Sequence, residues 1–282
     1  MGDMEENSQH LAFARAVAGP DVKIDLARVS LMLAEPEYPD LDVTGCLKKL
    51  DALAATVKDL GGRDDGPYRV LACMNYVLFH CEGFKGNEED YYDPQNSFLN
   101  CVIERKSGIP ITLSVLYMEV ARRVGLTVKG VGFPGHFLVT TTCDDQEIFI
   151  DSFNGGRIVS PADLESLLAR VYHGRLKVQP EFLLPVSNIQ IIQRMLNNMK
   201  GIYYSNRLDL RKCLRVVEQL LILNPGDPDQ IRDRGLLRLQ LENGSGALED
   251  LERFLELAPD AKGAVTIREK VNELRKQVHT LH

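Results

Sequence analysis

The run NSFLNCVIERKSGIPITLSVLYMEVARRVGL, Asn96–Leu126, contains the pattern that decides the fold. Its second half predicts one buried amphipathic helix, because apolar residues recur there at helical spacing. Pro110 suits the first turn of such a helix, where a missing N–H costs nothing, and Gly125 suits the position just past its end. The apolar residues of the stripe are Leu113, Leu116, Tyr117, Val120, Ala121 and Val124.

Three strand-like segments follow this helix, and polar residues between the last two predict a hairpin with the loop Thr142–Asp145. A helix over Pro161–Tyr172 and a linker over Pro180–Pro185 come next. A helix followed by antiparallel strands predicts an α+β core, at about residues 96–160, with helices preceding it. The three predicted strands are Thr127–Val131, His136–Thr140 and Glu147–Asp151.

The C-terminal part of the chain repeats itself at a spacing of 34 residues, which is the tetratricopeptide period. Each repeat predicts a pair of helices, and the pairs are expected to stack on further helices near Ile189–Met199 and Val265–Val278. An unrelated four-helix tail is the alternative. The matching positions are Gly201/Gly235, Ile202/Leu236, Leu214/Leu248, Val217/Leu251, Leu221/Leu255, Leu223/Leu257 and Pro225/Pro259.

The length of 282 residues favours two domains over one. We place the first, an α+β domain with a helical N-terminal part, at residues 1–186 and an all-α repeat domain at 187–282. An apolar fraction of 44% with 26% charged residues is typical of a soluble globular protein. The acidic N-terminus has no apolar signal segment, and no stretch is long enough to span a membrane. We therefore expect a cytoplasmic protein without a membrane partner.

The net charge of −7 is concentrated in the first domain. Residues 1–186 contain 18 Lys and Arg against 27 Asp and Glu, and the remainder contains 15 against 13. An acidic domain repels phosphate backbones, so nucleic acid is excluded as an expected partner.

Neither a cofactor nor a metal is expected from the motifs. Gly130–Gly135 matches GxGxxG, but a strand follows it where a dinucleotide site needs a helix, and Pro134 lies inside it. The six cysteines are scattered without a CxxC pair, which argues against structural zinc and against a disulfide framework.

His136 and Asp151 are the candidate site residues, because they lie on the two strands of the predicted hairpin. With the loop at Thr142–Asp145, positions 136 and 151 face each other, with Cβ atoms about 4.5–5.5 Å apart. The carboxylate would then fix the tautomer of the imidazole. A purely structural hydrogen bond is equally consistent with the spacing, and a two-residue slip of the loop would make the pair diagonal.

The Asn96–Leu126 run resembles the bacterial branch of the transglutaminase-like superfamily that has C-terminal tetratricopeptide-like repeats, as do GVGFPGHFLV (Gly130–Val139) and IFIDSFNGG (Ile148–Gly156). The resemblance spans nearly the whole chain and implies a papain-like core. It also implies a cysteine nucleophile at the start of the core helix, activated by a histidine that an aspartate orients. His136 and Asp151 match the last two roles.

The expected cysteine does not match, because its position falls at or beside Pro110. The neighbouring residues in the Gly108–Thr112 segment contain no thiol. A displaced nucleophile could be Cys101, if the chain folds back, or Thr112, whose hydroxyl is less commonly activated. The remaining residues expected to line a pocket at this position are Asn100, Gly108, Ile109, Pro110, Gly135 and Phe153.

These observations predict a non-catalytic transglutaminase-like protein that acts as a protein-interaction, scaffolding or regulatory module. The helical repeats would bind the protein partner. Two alternatives remain open: a cysteine- or threonine-dependent acyl transferase or amide hydrolase with a displaced nucleophile, and a binder of peptides or small molecules that uses His136 as a pH-sensitive contact.

Overall fold

The computed structural model describes residues 2–61, 66–206 and 208–280. The chain divides into two compact units, Met1–Met195 and Leu196–His282. This division falls inside one helix, whereas the boundary expected between residues 186 and 187 stays a prediction. Within the described residues, no helix combines the length and the apolar character needed to span a bilayer.

The first unit is mainly helical. Helical turns of other kinds lie at Asp21–Lys23, Tyr76–Cys81, Pro94–Ser97 and Pro180–Leu183. Its α-helices are α1 (Gly2–Ala16), α2 (Leu26–Met32), α3 (Val43–Leu60), α4 (Pro67–Asn75), α5 (Leu99–Arg105), α6 (Pro110–Val124) and α7 (Pro161–Tyr172).

Helix α6 is the predicted central helix, and its limits confirm the sequence analysis. Pro110 occupies the first turn, and Gly125 ends the helix in the left-handed conformation at φ +89°. Burial extends beyond the apolar stripe to polar residues such as Thr112 and Ser114, which are both fully buried. The helix is therefore enclosed by its neighbours along most of its length, and its last turn, with Arg122, reaches water.

Two small sheets accompany the helices. Strands β1 (Lys85–Gly86) and β2 (Ser107–Gly108) pair in parallel. The four-stranded sheet is an antiparallel meander in the order β3-β4-β5-β6. The predicted α+β class is thereby confirmed. The strands of the larger sheet are β3 (Lys129–Val131), β4 (Leu138–Cys143), β5 (Gln146–Asp151) and β6 (Arg157–Val159).

The register of the β4–β5 hairpin differs from the prediction. Val139 pairs with Ile150 and Cys143 with Gln146, which is a shift of two residues. The turn is only two residues long, Asp144-Asp145, at φ +48° and +61°. Aspartate tolerates this left-handed conformation, which matches the twist of paired strands. The expected four-residue loop was therefore wrong.

The sequence predicted a linker over Pro180–Pro185, but this segment is attached to the sheet. Pro185 bridges to Val131, and the Val186 N–H donates to the Gly130 carbonyl at 2.9 Å. Phe182 packs on an apolar cluster beneath the large sheet. The segment thus covers one edge of the sheet. The buried members of that cluster are Val131, Phe133, Leu138, Val159, Leu164 and Leu168.

The second unit confirms the repeat. Moving the limits of α9 by 34 residues gives those of α11, and the side chains of Asp209, Asp227 and Asn243 cap the N-termini of α9, α10 and α11. Gly235 permits a close approach of α10 to α11, because an added Cβ would lie 2.8 Å from the Leu251 side chain. The helices are α8 (Asn188–Gly201), in which the division falls, α9 (Leu210–Leu223), α10 (Pro228–Gln240), α11 (Gly244–Leu257) and α12 (Ala264–Thr280).

Candidate functional site

His136 and Asp151 are in contact despite the changed register. Nε2 of His136 lies 3.0 Å from Oδ1 of Asp151, and the two side chains are 11% and 1% exposed. The two atoms are close, but the Nε2–H does not point along the line to the carboxylate. The contact therefore lacks regular hydrogen-bond geometry. Because Nε2 faces the carboxylate, Nδ1 is the ring nitrogen left for a nucleophile or a ligand.

The turn that follows β5 holds the Asp151 carboxylate in place. Its oxygens accept the N–H groups of Phe153 and Asn154 at 3.1 and 3.2 Å, and the side-chain amide of Asn154 at 2.7 Å. Burial acts to raise the pKa of Asp151, but the contact with His136 and the Asn154 hydrogen bonds outweigh it. The pKa therefore lies below its usual value, and the carboxylate is ionised near neutral pH.

A tight turn presents His136 to Asp151. The His136 N–H donates to the Phe133 carbonyl at 3.0 Å, and Gly135 between them adopts φ +73°. Arg194 of α8 also donates from Nη2 to the carbonyls of Phe133, at 3.0 Å, and of His136. The sequence did not indicate Arg194 as a site residue. It lies far along the chain from His136, in a segment whose pattern predicted only a helix.

An aromatic side chain borders the imidazole. The ring of Phe153 meets His136 edge to face at 6.0 Å between centroids, and Tyr91 meets Phe153 at 6.4 Å. Phe153 lies directly on Gly86, where an added Cβ would be 2.5 Å from the ring. The expected pocket residues Gly135 and Phe153 thus both adjoin His136.

At the start of α6, Pro110 occupies the position of the expected cysteine. Pro110 is at the first position of the helix, and Ser114, one turn later on the same face, shares a 2.7 Å hydrogen bond with Ser152, the residue after Asp151. Ser114 on this face of α6 thus contacts the residue that follows β5, and Pro110, where the family resemblance places the cysteine, lies one turn earlier. Gly108 and Ile109, the other expected pocket residues here, precede Pro110 in the chain.

The hydroxyl of Thr112 makes other contacts. It donates to the Asn96 carbonyl at 2.7 Å and accepts the Ile109 N–H at 3.1 Å. Gly108 leaves the space for it, because an added Cβ would lie 2.9 Å from the hydroxyl oxygen. Thr112 thereby caps α6, and the structure gives it no contact with His136 within the described residues.

Cys101 is placed beside Tyr38, with its thiol 3.2 Å from the phenolic oxygen. Burial raises the pKa of Cys101 and prevails over the opposing effect of the Tyr38 hydrogen bond. Asn100 lines a cavity of about 610 Å³ with Tyr38 and Cys46, and His136 is not among its lining residues. The structure therefore groups Asn100 and Cys101 with Tyr38 and gives them no described contact with the His-Asp pair.

These environments predict the order in which the thiols react. We expect iodoacetamide at pH 7.5 to label the exposed Cys81 at least about tenfold faster than the buried Cys101, because the thiolate is the reactive form and burial restricts access. Peptide mass spectrometry over time measures both rates in one sample. Equal rates would contradict the description of Cys101 as an inert buried thiol.

Family models match both parts of the chain. Residues 44–197 match the transglutaminase-like superfamily, and residues 199–272 match the tetratricopeptide repeat. The two matches meet close to the division between the compact units. Stacked helical repeats of this kind generally provide surfaces for binding other proteins.

Two bacterial relatives match this chain over most of their length, and a human protein matches it over a smaller part. A UPF0162 protein of Xylella fastidiosa (strain 9a5c) is 38% identical over 268 residues, which cover 91% of this chain and 92% of the relative. UPF0162 protein YchA of Escherichia coli (strain K12) is 29% identical over 249 residues, 87% and 90% of the two chains. Human F-box only protein 21 is 35% identical over 141 residues, 46% of this chain and 21% of that protein.

The family match covers more than half of the chain and includes the central helix α6 together with His136 and Asp151. The 3.0 Å contact between the two side chains lies inside the matched region, and the roles given to them stay predictions. The chain therefore belongs to the transglutaminase-like superfamily and continues into tetratricopeptide repeats.

Proposed function

We propose that this protein is a non-catalytic member of its superfamily that acts as a protein-interaction, scaffolding or regulatory module. The observation that carries the proposal is the residue at the nucleophile's position. Pro110 has no reactive atom, and a histidine with its carboxylate supplies only a base and its orienting group. Covalent catalysis needs a nucleophile as well.

The two replacement nucleophiles receive little support from their surroundings. The Thr112 hydroxyl donates its proton to a backbone carbonyl, and Cys101 is buried against Tyr38. Activation by His136 requires a nucleophile within about 2.6–3.2 Å of a ring nitrogen, or somewhat further without substrate. What favours the enzymatic alternative is the retained His136–Asp151 contact, which would orient the imidazole for proton transfer.

The decisive experiment labels the full-length protein with a thiol-reactive probe. Under the proposal, the labelling rate of Cys101 is the same in the wild type and in His136→Ala, because the imidazole does not activate the thiol. Selective labelling of Cys101 that is lost in His136→Ala would establish the displaced-nucleophile enzyme instead. Labelling of the exposed Cys81 is the internal reference, since the substitution should leave it unchanged.

For the interaction surface, we propose the cavity of about 390 Å³ in the second unit. Its lining combines apolar Leu236 and Leu237 with the half-exposed ring of Tyr204 and the Lys200–Asp233 ion pair. Aromatic anchors beside apolar area are common at protein interfaces. A protein partner would insert a side chain between the C-terminal end of α8 and α10.

A photocrosslinking amino acid placed at Tyr204 tests this surface in cells. We expect discrete adducts of defined mass at position 204 and none at Val265, which is 65% exposed but lies outside the cavity. Adducts of equal yield at both positions would show that the partner does not bind the repeats specifically at the cavity.

A further inference from the structure

The guanidinium of Arg194 lies next to His136 and has no carboxylate partner among the described residues. Its two hydrogen bonds go to the carbonyl groups of Phe133 and His136, which are neutral. Such bonds hold the turn in place, but they leave the positive charge of a partly buried side chain uncompensated. Buried charges in proteins are usually paired, so the missing counter-ion requires an explanation.

The donors of Arg194 are only partly used. A guanidinium has five N–H groups. Two of them, on Nη2, serve the Phe133 and His136 carbonyls, while Nε and Nη1 have no acceptor within the part of the chain that the structure describes. Space beside Nη1 is provided by Gly132, where an added Cβ would lie 3.4 Å from this nitrogen. The Phe137 ring supports the other side of the cation at 5.3 Å.

Two tyrosines lie within electrostatic range of this cation. Burial lowers the pKa of Arg194, and the phenolic groups of Tyr91 and Tyr172 act against that effect. Both tyrosines are more than one third exposed. They belong to the loop before α5 and to the C-terminal end of α7, whose Val171 packs onto Gly135. Tyr91 meets Phe153, the ring that borders His136, and Tyr172 directly follows Val171, so both tyrosines adjoin the turn that Arg194 holds.

We infer that Arg194, bordered by Tyr91 and Tyr172, is a binding site for a carboxylate, which brings a carboxylate-bearing ligand next to His136. The single positive charge fits a monoanion better than a doubly charged phosphate, and residues 1–186 are acidic overall. Phe153 and Tyr91 offer apolar contact to the rest of the ligand. The inference rests on the proposed function to the extent that the site around His136 binds a ligand rather than catalyses a reaction.

The test uses the full-length protein and N-acetylglycine as the carboxylate probe, with N-acetylglycinamide as its uncharged match and inorganic phosphate as the second anion. Nuclear magnetic resonance of the histidine side chains measures binding. We expect a saturable shift of the His136 signals with N-acetylglycine, no shift with the amide, and at least about tenfold weaker binding of phosphate. An equal response to the amide, tighter binding of phosphate, or no saturable response to N-acetylglycine would overturn the inference.

Variants assign the binding to this site. Arg194→Gln should abolish the shift, but it also removes the bonds to the turn and could disturb the fold. The double variant Tyr91→Phe with Tyr172→Phe keeps both rings and should weaken N-acetylglycine binding by about tenfold. Unchanged affinity in the double variant would overturn the role of the hydroxyls. These outcomes are independent of Cys101 labelling, so a failure here is distinguishable from a failure of the non-catalytic proposal.

Discussion

Asp250→Ala is expected to lower the free energy of unfolding of the repeat unit by about 3–5 kcal/mol. The Asp250 side chain is 4% exposed and accepts three hydrogen bonds. Arg234 donates two, at 2.9 and 2.6 Å, and Arg238 donates one at 2.8 Å. At the contact between α10 and α11, alanine would remove the carboxylate that Arg234 and Arg238 share. Arg238 would still have Glu218 at 3.6 Å, so most of the cost falls on the partly buried guanidinium of Arg234.

Urea denaturation of the full-length protein, followed by circular dichroism, measures the loss, and amide hydrogen exchange in α10 and α11 locates it. The matched control is Glu256→Ala, which removes an ion pair with Arg253 between side chains that are 58% and 66% exposed. Exposed pairs contribute little, so this variant should change stability by less than about 1 kcal/mol. A similar loss of stability in both variants would contradict the claim that the buried Asp250 contacts stabilise the repeat unit more than an exposed ion pair does.

A third variant separates charge from packing. Asp250→Leu combined with Arg234→Met and Arg238→Met replaces Asp250 and both of its arginine partners by apolar groups, which is often neutral or stabilising. Glu218, the other partner of Arg238, stays in place and is 24% exposed. We expect most of the stability lost in Asp250→Ala to return in this triple variant. A persistent loss would indicate that close packing around Gly235 and Leu251 causes the effect, rather than the loss of the Asp250 carboxylate from the two arginines.

The repeat region was predictable because its signal is internal to the sequence. The 34-residue spacing relates Leu210–Leu223 to Gly244–Leu257, and each helix has a polar cap immediately before it. Helix α6 was predictable for a similar reason, since Pro110 and Gly125 mark its ends and the apolar stripe lies between them. Local chemistry determines such elements, so one sequence is sufficient to find them.

The hairpin register was not predictable in the same way. Composition suggested a four-residue loop, but Asp144 and Asp145 both adopt left-handed backbone conformations and shorten the turn to two residues. Strand β6, Arg157–Val159, was also missed, because three residues between turns give almost no periodicity. Strand ends depend on pairing with neighbours, which the local sequence records only weakly.

The candidate site was predictable in part. The spacing of His136 and Asp151 predicted their contact, which forms in spite of the shifted register, because His136 lies in the turn before β4. The roles given to Cys101 and Thr112 stay predictions. Arg194 could not have been found, since only the tertiary fold brings α8 to the carbonyl of His136.

Gly156→Ala is expected to destabilise the first unit by about 3 kcal/mol, of which about 1–2 kcal/mol is backbone strain and the remainder overpacking. Gly156 adopts φ +74°, and an added Cβ would lie 2.2 Å from Oδ1 of Asn75 and 2.6 Å from the Phe79 ring. That oxygen also accepts the Tyr117 hydroxyl at 2.9 Å, while the Asn75 amide donates to the Gly156 carbonyl at 2.8 Å. The methyl group would displace this network.

Gly155→Ala is the matched control, because Gly155 has nearly the same backbone, φ +73°, and no atom within 4 Å of the added Cβ. It should cost only the strain, about 1–2 kcal/mol, so the difference between the two variants isolates the close contact with Asn75 and Phe79. Urea denaturation measures both. Equal losses would show that Asn75 moves aside freely. The Gly156 N–H donates to the Asp151 carbonyl at 2.9 Å, and Asp151 contacts His136. A backbone shift at Gly156→Ala should therefore change the nuclear magnetic resonance signals of His136, whereas Gly155→Ala should not.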